Sequence, residues 1–309
     1  MSNRVRLPKT NLEVSPVCLG GNVFGWSANQ DESFAVLDAF VAAGGNFIDT
    51  ADVYSEWVDG HVGGESESII GAWMESRGNR SQIILATKVA MLSTRSGLSS
   101  ANIMAAVEDS LRRLKTDYID LYYAHRDDAE TPLEETLGAF DELVKSGKVR
   151  NIGASNYSGA RLIEAAEVSK KQGFVEYSVL QNRYNLVDRE TFESDAAPAL
   201  AELGISCVPF YGVAVGFLTG KYQHGFELKT ARSEGAKQYF TEAGWATLAE
   251  VTALAQELGV SNAAVALAWL RAQPTVGVPI ASARNLEQLA ELMQQVELSD
   301  EQVSALSQN

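Results

Sequence analysis

Four residues of this chain could do chemistry together: Asp49, Tyr54, Lys88 and His125. Asp49 closes the run Asn46-Phe47-Ile48-Asp49, and Tyr54 follows five residues later. Lys88 closes Ile83-Ile84-Leu85-Ala86-Thr87-Lys88, and His125 closes the run that starts at Ile119. Parallel β/α proteins place their reacting groups where strands end, and here three successive strand-like runs end in a titratable residue. Tyr54 is then a phenol with an ordinary pKa near ~10, too weak an acid for rapid proton donation near neutrality. A lysine ammonium close by should favour the phenolate and lower that value, which is the role expected of Lys88. Asp49 can hold Lys88 charged and aimed, and His125 can donate a hydrogen bond to a substrate oxygen. A carbonyl polarised by two donors accepts hydride at carbon. No residue here stores hydride, so a nicotinamide has to supply it. Each residue also has a plain structural reading: a packing tyrosine, a solvated lysine, a satisfied core histidine, an aspartate capping a turn.

The elements that would position them alternate along the chain. Strand-like runs fall at residues 17–21, 46–49, 82–88, 119–125, 151–155, 177–181, 206–210 and 276–280. Helical patterns fall between and after them, at 31–43, 65–76, 100–114, 131–146, 158–172, 195–203, 246–258, 261–272 and 285–295. The helix from Thr131-Pro132 reads as a capped start with proline at the first helical position. Eight strands joined by helices imply a parallel sheet closed into a (β/α)8 TIM barrel. Arg4–Ser15 reads as an extra N-terminal β-hairpin plugging the barrel floor. No linker or low-complexity tract interrupts the 309 residues, which therefore read as a single domain over 1–309. Two connections exceed mere joints and should form long loops at the C-terminal face. One, 51–64, carries Tyr54, Trp57 and His61. The other, 212–244, has glycines at 212, 216, 220, 225, 235 and 244.

Composition narrows the function classes. The chain is 46% hydrophobic and 21% charged, with no run of the roughly 18–20 apolar residues that a membrane span needs. Met1–Arg6 lacks the apolar core of a signal peptide, so a cytoplasmic location is the default expectation. Cys18 and Cys207 read as buried thiols, and two distant cysteines with three histidines make a poor zinc set, so no metal is expected. A net charge of −15 argues against nucleic acid and anionic membranes as partners. It also requires local positive charge wherever a phosphorylated cofactor binds. The oligomeric state is not readable.

Nearly end to end, the chain resembles the aldo-keto reductases, through Asn46–Tyr54, Thr87-Lys88 and Tyr123-Ala124-His125. The resemblance implies that Asp49, Tyr54, Lys88 and His125 are the catalytic tetrad, with Tyr54 as general acid. It also implies a nicotinamide site. Ser155 and Asn156 in Gly153-Ala154-Ser155-Asn156, with Gln181, match residues that hold the carboxamide, and Tyr211 matches the aromatic that stacks on the ring. The segment 212–221, with Gly212, Val213, Gly216 and Lys221, resembles the loop that covers the pyrophosphate. Segment 280–288 resembles the one at the adenosine end, including Gln288, and there Ser282 and Arg284 suit a 2′-phosphate. NADP(H) is therefore expected over NAD(H), which stays possible. Two positions depart from the family pattern: Gly212 stands where serine is common, and Leu292 where an asparagine often meets the adenine edge. Substrate contacts are expected from 22–26, from Trp26 and Trp57 as walls, from His61 and from Arg126, unless Asp127 and Asp128 neutralise it. Only about a dozen residues follow the last strong helical pattern, which leaves the pocket open on that side and its specificity broad. These features imply reduction of small aldehydes or ketones, or the reverse oxidation of alcohols. A redox-sensing regulatory module on the same scaffold, as in channel subunits that resemble this family, is the other reading.

Overall fold

Short runs of apolar residues make strands here because a parallel sheet is covered on both faces and needs no polar side. A computed structural model describes residues 4–222 and 231–308; Met1–Asn3 and Gly225 of the long loop lie outside the described residues. The opening hairpin pairs β1 (Val5–Arg6) antiparallel with β2 (Glu13–Val14). The barrel strands are β3 (Cys18–Gly20), β4 (Phe47–Asp49), β5 (Ile84–Val89), β6 (Leu121–Ala124), β7 (Ile152–Ser155), β8 (Val179–Gln181), β9 (Ser206–Cys207) and β10 (Ile280–Ala281). They are parallel neighbours in the order β10-β3-β4-β5-β6-β7-β8-β9. The ends meet through backbone bonds from Gly277 N to Cys207 O at 2.7 Å and from Ile280 N to Pro209 O at 2.9 Å. The result is the eight-stranded (β/α)8 barrel that the alternation implies. Its last strand is ragged: Val276 makes only an isolated bridge to Cys207, and regular pairing waits until Ile280 because Pro279 has no N–H to give.

Alternation along each strand sorts side chains between the barrel lumen and the helical shell. Cys18, Phe47, Ala86, Leu121, Tyr123, Val179 and Ile280 pack inside the barrel. Leu19, Ile48, Leu85, Tyr122, Leu180 and Ala281 pack against the helices. Leu7, Leu12 and Val14 of the hairpin join the inner cluster, so the hairpin closes the barrel floor as expected. Gly153 is fixed by a close approach, since a Cβ there would lie 2.5 Å from the Tyr123 ring.

The helical shell runs α1 (Gln30–Ala42), α2 (Glu65–Arg77), α3 (Ser100–Leu114), α4 (Leu133–Lys145), α5 (Gly159–Gln172), α6 (Ala197–Leu203), α7 (Ala231–Ala236), α8 (Glu242–Leu258), α9 (Asn262–Arg271), α10 (Leu286–Leu292) and α11 (Asp300–Leu306). Asn29, Ser99, Ser158, Ser261 and Asn285 cap their helices by accepting a backbone N–H. The expected start at Thr131-Pro132 is corrected: Pro132 is itself the N-cap and α4 begins at Leu133. Asp128 draws the Thr131 hydroxyl away, at 2.8 Å, so it caps nothing. The helix expected over 195–203 is helical from Glu190: a π stretch, Phe192–Ala196, runs directly into α6, where Pro198 lacks the N–H a regular ladder needs. The chain beyond α10 is structured too. Ser299 and Gln302 form a reciprocal capping box for α11, and Trp269 Nε1 donates to Ser307 Oγ at 2.9 Å to dock it.

Candidate active site

Strand parity decides where the reacting groups go. Asp49 shares the inward parity of Phe47, Lys88 that of Ala86, His125 that of Leu121 and Tyr123, and Gln181 that of Val179. Ser155 and Ser282 follow the same rule from β7 and β10. All stand at the C-terminal ends of their strands, where the lumen opens into a cavity of about 460 Å³ lined by Asp49, Tyr54, His125, Ser155 and Gln181 among others.

Lys88 is the hub. Its side chain is completely buried, and Nζ donates to Asp49 Oδ2 at 2.6 Å, to Thr50 O at 2.7 Å and to Tyr54 Oη at 2.9 Å. Three acceptors use the three donors of an ammonium. The other Asp49 oxygen accepts from Gln181 Nε2 at 2.9 Å. Tyr54 reaches the hub from the β4–α2 loop, which is pinned by Thr50 N to Ala86 O at 2.9 Å and Asp52 N to Lys88 O at 3.3 Å. The His125 ring lies 5.9 Å from that of Tyr54, edge to face. The structure thus brings all four residues together.

The electrostatics correct one expectation. The Tyr54 hydroxyl is pushed up to about 12, because burial and the nearby Asp49 charge outweigh the lowering by Lys88. The phenol therefore holds its proton. Burial works against the charge on Lys88, but Asp49 and the Tyr54 oxygen more than offset it, and the ammonium is raised. Burial, then the charges of Lys88 and Arg126, hold His125 well below the usual imidazole range, so the ring is neutral. Its Nδ1 is buried with no partner among the described residues.

The residues expected at a cofactor divide into two groups. Ser155, Asn156, Gln181, Tyr211, Gly212, Val213, Gly216 and Ser282 line the same cavity as the tetrad. Lys221, Arg284 and Gln288 are not among the lining residues; the last two stand at the start of α10, where the Gln288 side chain accepts the Arg284 N–H at 3.2 Å. Asn156 Nδ2 donates to His125 O at 2.9 Å and to Ser155 Oγ at 3.1 Å. Tyr211 stands 41% exposed over the cavity. After it, Ala214, Val215 and Gly216 all have positive φ, at 49°, 56° and 86°. Val215 is the costly one, since a β-branched residue resists that region. Among the described residues, the Gly212 and Val213 N–H groups in the cavity wall have no backbone partner. A Cβ at Gly216 would lie 2.5 Å from Lys221 Nζ, so glycine there admits the ammonium to the loop. Backbone donors on a glycine-bearing loop that also packs a lysine side chain fit a phosphate group. Leu292, at the end of α10, is a core residue, 5% exposed, with no side-chain donor or acceptor to offer.

The substrate side differs from expectation at three points. Trp26 and Trp57 line the cavity as expected, their rings 5.5 Å apart and edge to face. Met91 joins them, and Glu56 accepts from the Ser93 N–H at 3.1 Å and from its hydroxyl, tying the loop of Trp57 to that of Met91. His61 lines a separate outer hollow with Arg112 and Arg113, because its Nδ1 is held 3.1 Å from Ser55 O. Arg126 is exposed and outside the residues that line the cavity. Of its acidic neighbours, Asp127 pairs with Arg161 at 2.9 Å, and Asp128 accepts from Leu98 N and Thr131 while also feeling the Arg126 charge. Instead Arg183 and Gln238 line the wall beside Tyr211. The pattern Gln181-x-Arg183 could have flagged Arg183 by its inward parity. α11 contributes nothing to the lining.

A buried charge cluster backs the tetrad. Asp52, two residues before Tyr54, is completely buried, and neither carboxylate oxygen has a hydrogen-bond partner among the described residues. Glu67 on α2 is equally buried and accepts from Thr87 Oγ1 and Arg113 Nε, both at 2.6 Å. Burial first, then the Glu67 charge, lifts Asp52 to about 7, partly offset by Arg113 and Arg95.

The chain resembles known proteins over nearly its whole length. The model of the aldo/keto reductase family matches residues 16–308. The uncharacterized oxidoreductase YrpG of Bacillus subtilis is 36% identical over 95% of this chain and 90% of its own length. Norsolorinic acid reductase stcV of Emericella nidulans is 34% identical over 97% of this chain and 79% of its own. Aryl-alcohol dehydrogenase [NADP(+)] of Phanerodontia chrysosporium is 30% identical over 99% and 85% respectively.

Asp52 makes the cluster measurable. A carboxyl whose folded pKa lies above its unfolded one binds more protons when folded, so stability falls as pH rises from the ordinary aspartate value of 3.8 through about 7. Asp52→Asn should remove that penalty. Its melting temperature is expected to exceed the wild type's by about 4 °C or more at pH 8 and by less at pH 5. An equal or lower melting temperature at pH 8 would show that Asp52 is ionised and stabilising.

Proposed function

The chain belongs to the aldo/keto reductase family, and from that premise we propose that it is an NADPH-dependent reductase of aldehydes or ketones with Tyr54 as general acid. The observation that carries this reading is the buried Lys88 ammonium bonded at once to Asp49 and to Tyr54 at the base of a cavity. Tyr54 Oη gives its proton to the carbonyl oxygen as carbon is reduced. The neutral His125 supplies a second donor to the same oxygen and orients the carbonyl. Lys88 stabilises the phenolate as it forms, and Asp49 keeps Lys88 charged and in place. When bound, a nicotinamide supplies the hydride. Ser155, Asn156 and Gln181 would hold its carboxamide and Tyr211 its ring face. The Gly212 and Val213 N–H groups with Lys221 would meet the pyrophosphate.

Preference for the 2′-phosphorylated form rests on Arg284, an exposed residue two positions after the cavity-lining Ser282, on a chain of net charge −15. Bidentate or stacking contact with a phosphate suits arginine. Gly212 offers no hydroxyl to the pyrophosphate, so affinity there leans on backbone donors and Lys221. Trp26, Trp57 and Met91 favour flat apolar or aromatic carbonyl compounds, and a norsolorinic acid reductase and an aryl-alcohol dehydrogenase among the relatives fit that class.

The test is consumption of NADPH and NADH with 4-nitrobenzaldehyde, followed by the oxidation of the matching alcohol. Turnover is expected with NADPH, with reductive kcat/KM flat from pH 6 to 9, because the Tyr54 phenol stays protonated to about 12. Alcohol oxidation, which needs the phenolate, should rise over the same range. A reductive rate that breaks near neutrality would mean that Lys88 prevails over burial. Cofactor binding without turnover of any aldehyde would turn the reading toward a redox-sensing module. In a direct binding titration, Arg284→Ala should weaken NADPH about tenfold or more and NADH much less. Equal losses would remove Arg284 from the 2′-phosphate site.

A further inference from the structure

The cavity wall holds a cation that the hydride chemistry does not use. Arg183 lines the cavity two residues after Gln181, with its guanidinium 5.7 Å from the centre of the Tyr211 ring. Among the described residues its Nη1 makes two hydrogen bonds, to Asp188 Oδ2 and to Gln238 Oε1, each at 3.2 Å. Nε and Nη2 have no partner among the described residues. These two groups form the guanidinium edge that meets a carboxylate bidentately. The Nη1 contacts hold the group in place while that edge stays free.

Its surroundings favour an anion arriving there. Of the charged residues lining the cavity, the other is Asp49, whose two oxygens are taken by Lys88 and Gln181. His125 is neutral. Asp188 is part exposed, and its pairing with the 45%-exposed Arg183 is a long, solvent-screened contact. It anchors the guanidinium without using up its binding edge. On a chain that repels anions overall, a placed arginine is what an anionic substrate requires.

We propose that Arg183 is a specificity residue that binds a carboxylate carried by the substrate away from its reacting carbonyl, so that the substrate class is aromatic or apolar aldehydes and ketones bearing an acid group. The substrate class rests on the reductase reading; the carboxylate site itself does not. The same guanidinium edge could instead meet a phosphate of the cofactor, and the experiment separates the two sources.

The probes are 4-carboxybenzaldehyde and its neutral methyl ester, measured as a pair on one preparation, so that partial unfolding of a variant cancels from the ratio. Calorimetric titration with and without NADP+ reads affinity, and NADPH consumption reads kcat/KM. Arg183→Met should lower the carboxylate-to-ester ratio about tenfold or more in both, through KM rather than kcat, and Arg183→Lys should restore part of it. An unchanged ratio overturns the proposal. So does a weakened NADPH affinity with the ratio intact, which would make Arg183 a cofactor contact. If neither aldehyde turns over while the affinity ratio still falls, the reductase reading fails and the carboxylate site stands.

Discussion

A lysine ammonium with no exposure to water is the constraint on which the site depends. Burying such a charge costs several kcal/mol unless it is paired and fully hydrogen-bonded. Lys88 meets that condition with one carboxylate, one carbonyl and one phenol. The acceptors come from neighbouring places: Asp49 from the adjacent strand, Thr50 from the residue after it, and Tyr54 from the loop that follows. The parallel pairing of β4 and β5 and the inward parity of Asp49 and Lys88 therefore determine where Tyr54 can stand. Gln181, across the barrel, completes the carboxylate. Removing either member of the Asp49–Lys88 pair would leave a buried charge without its counter-charge.

Backbone strain gathers around the same cavity. Of the described non-glycine residues with positive φ, Ser55, Ala90, Asn156, Tyr211, Ala214 and Val215 all lie on loops at the C-terminal ends of strands. The remaining two, Lys9 and Lys115, turn the opening hairpin and end α3. Such conformations persist where packing over-determines them, and here they aim Tyr211 and the Gly212–Val213 donors. Burial also sets the chemistry of Tyr54. A phenol held protonated by its surroundings is a donor at every ordinary pH, and Lys88 acts by stabilising what the phenol becomes.

Much of this was legible in the chain. Strand ends, marked by Asp49, Lys88 and His125 after apolar runs, and the eight-fold alternation led directly to the barrel, because period-two burial leaves a plain trace. The hairpin over the floor followed from Leu7 and Leu12. What was not legible depended on distance through space. The balance of burial against Lys88 at Tyr54 has no sequence signal, and neither does the diversion of Thr131 to Asp128. Arg126, next to His125, looked like the substrate's cation by sequence proximity, yet one step past the strand its side chain leaves the lumen. Arg183, with inward parity, is the arginine in the wall. Asp52 escaped notice because an aspartate in a loop reads as solvated until α2 and α3 are packed over it.

The most direct measurement is single-turnover oxidation of bound NADPH by an aromatic aldehyde, comparing the wild type with Tyr54→Phe at saturating cofactor. If the Lys88-bound phenol is the proton donor, the variant binds NADPH as the wild type does and its hydride-transfer step slows about a hundredfold or more. If both proteins oxidise NADPH at the same rate, the proton comes from elsewhere and the account of the Asp49–Lys88–Tyr54 centre is wrong.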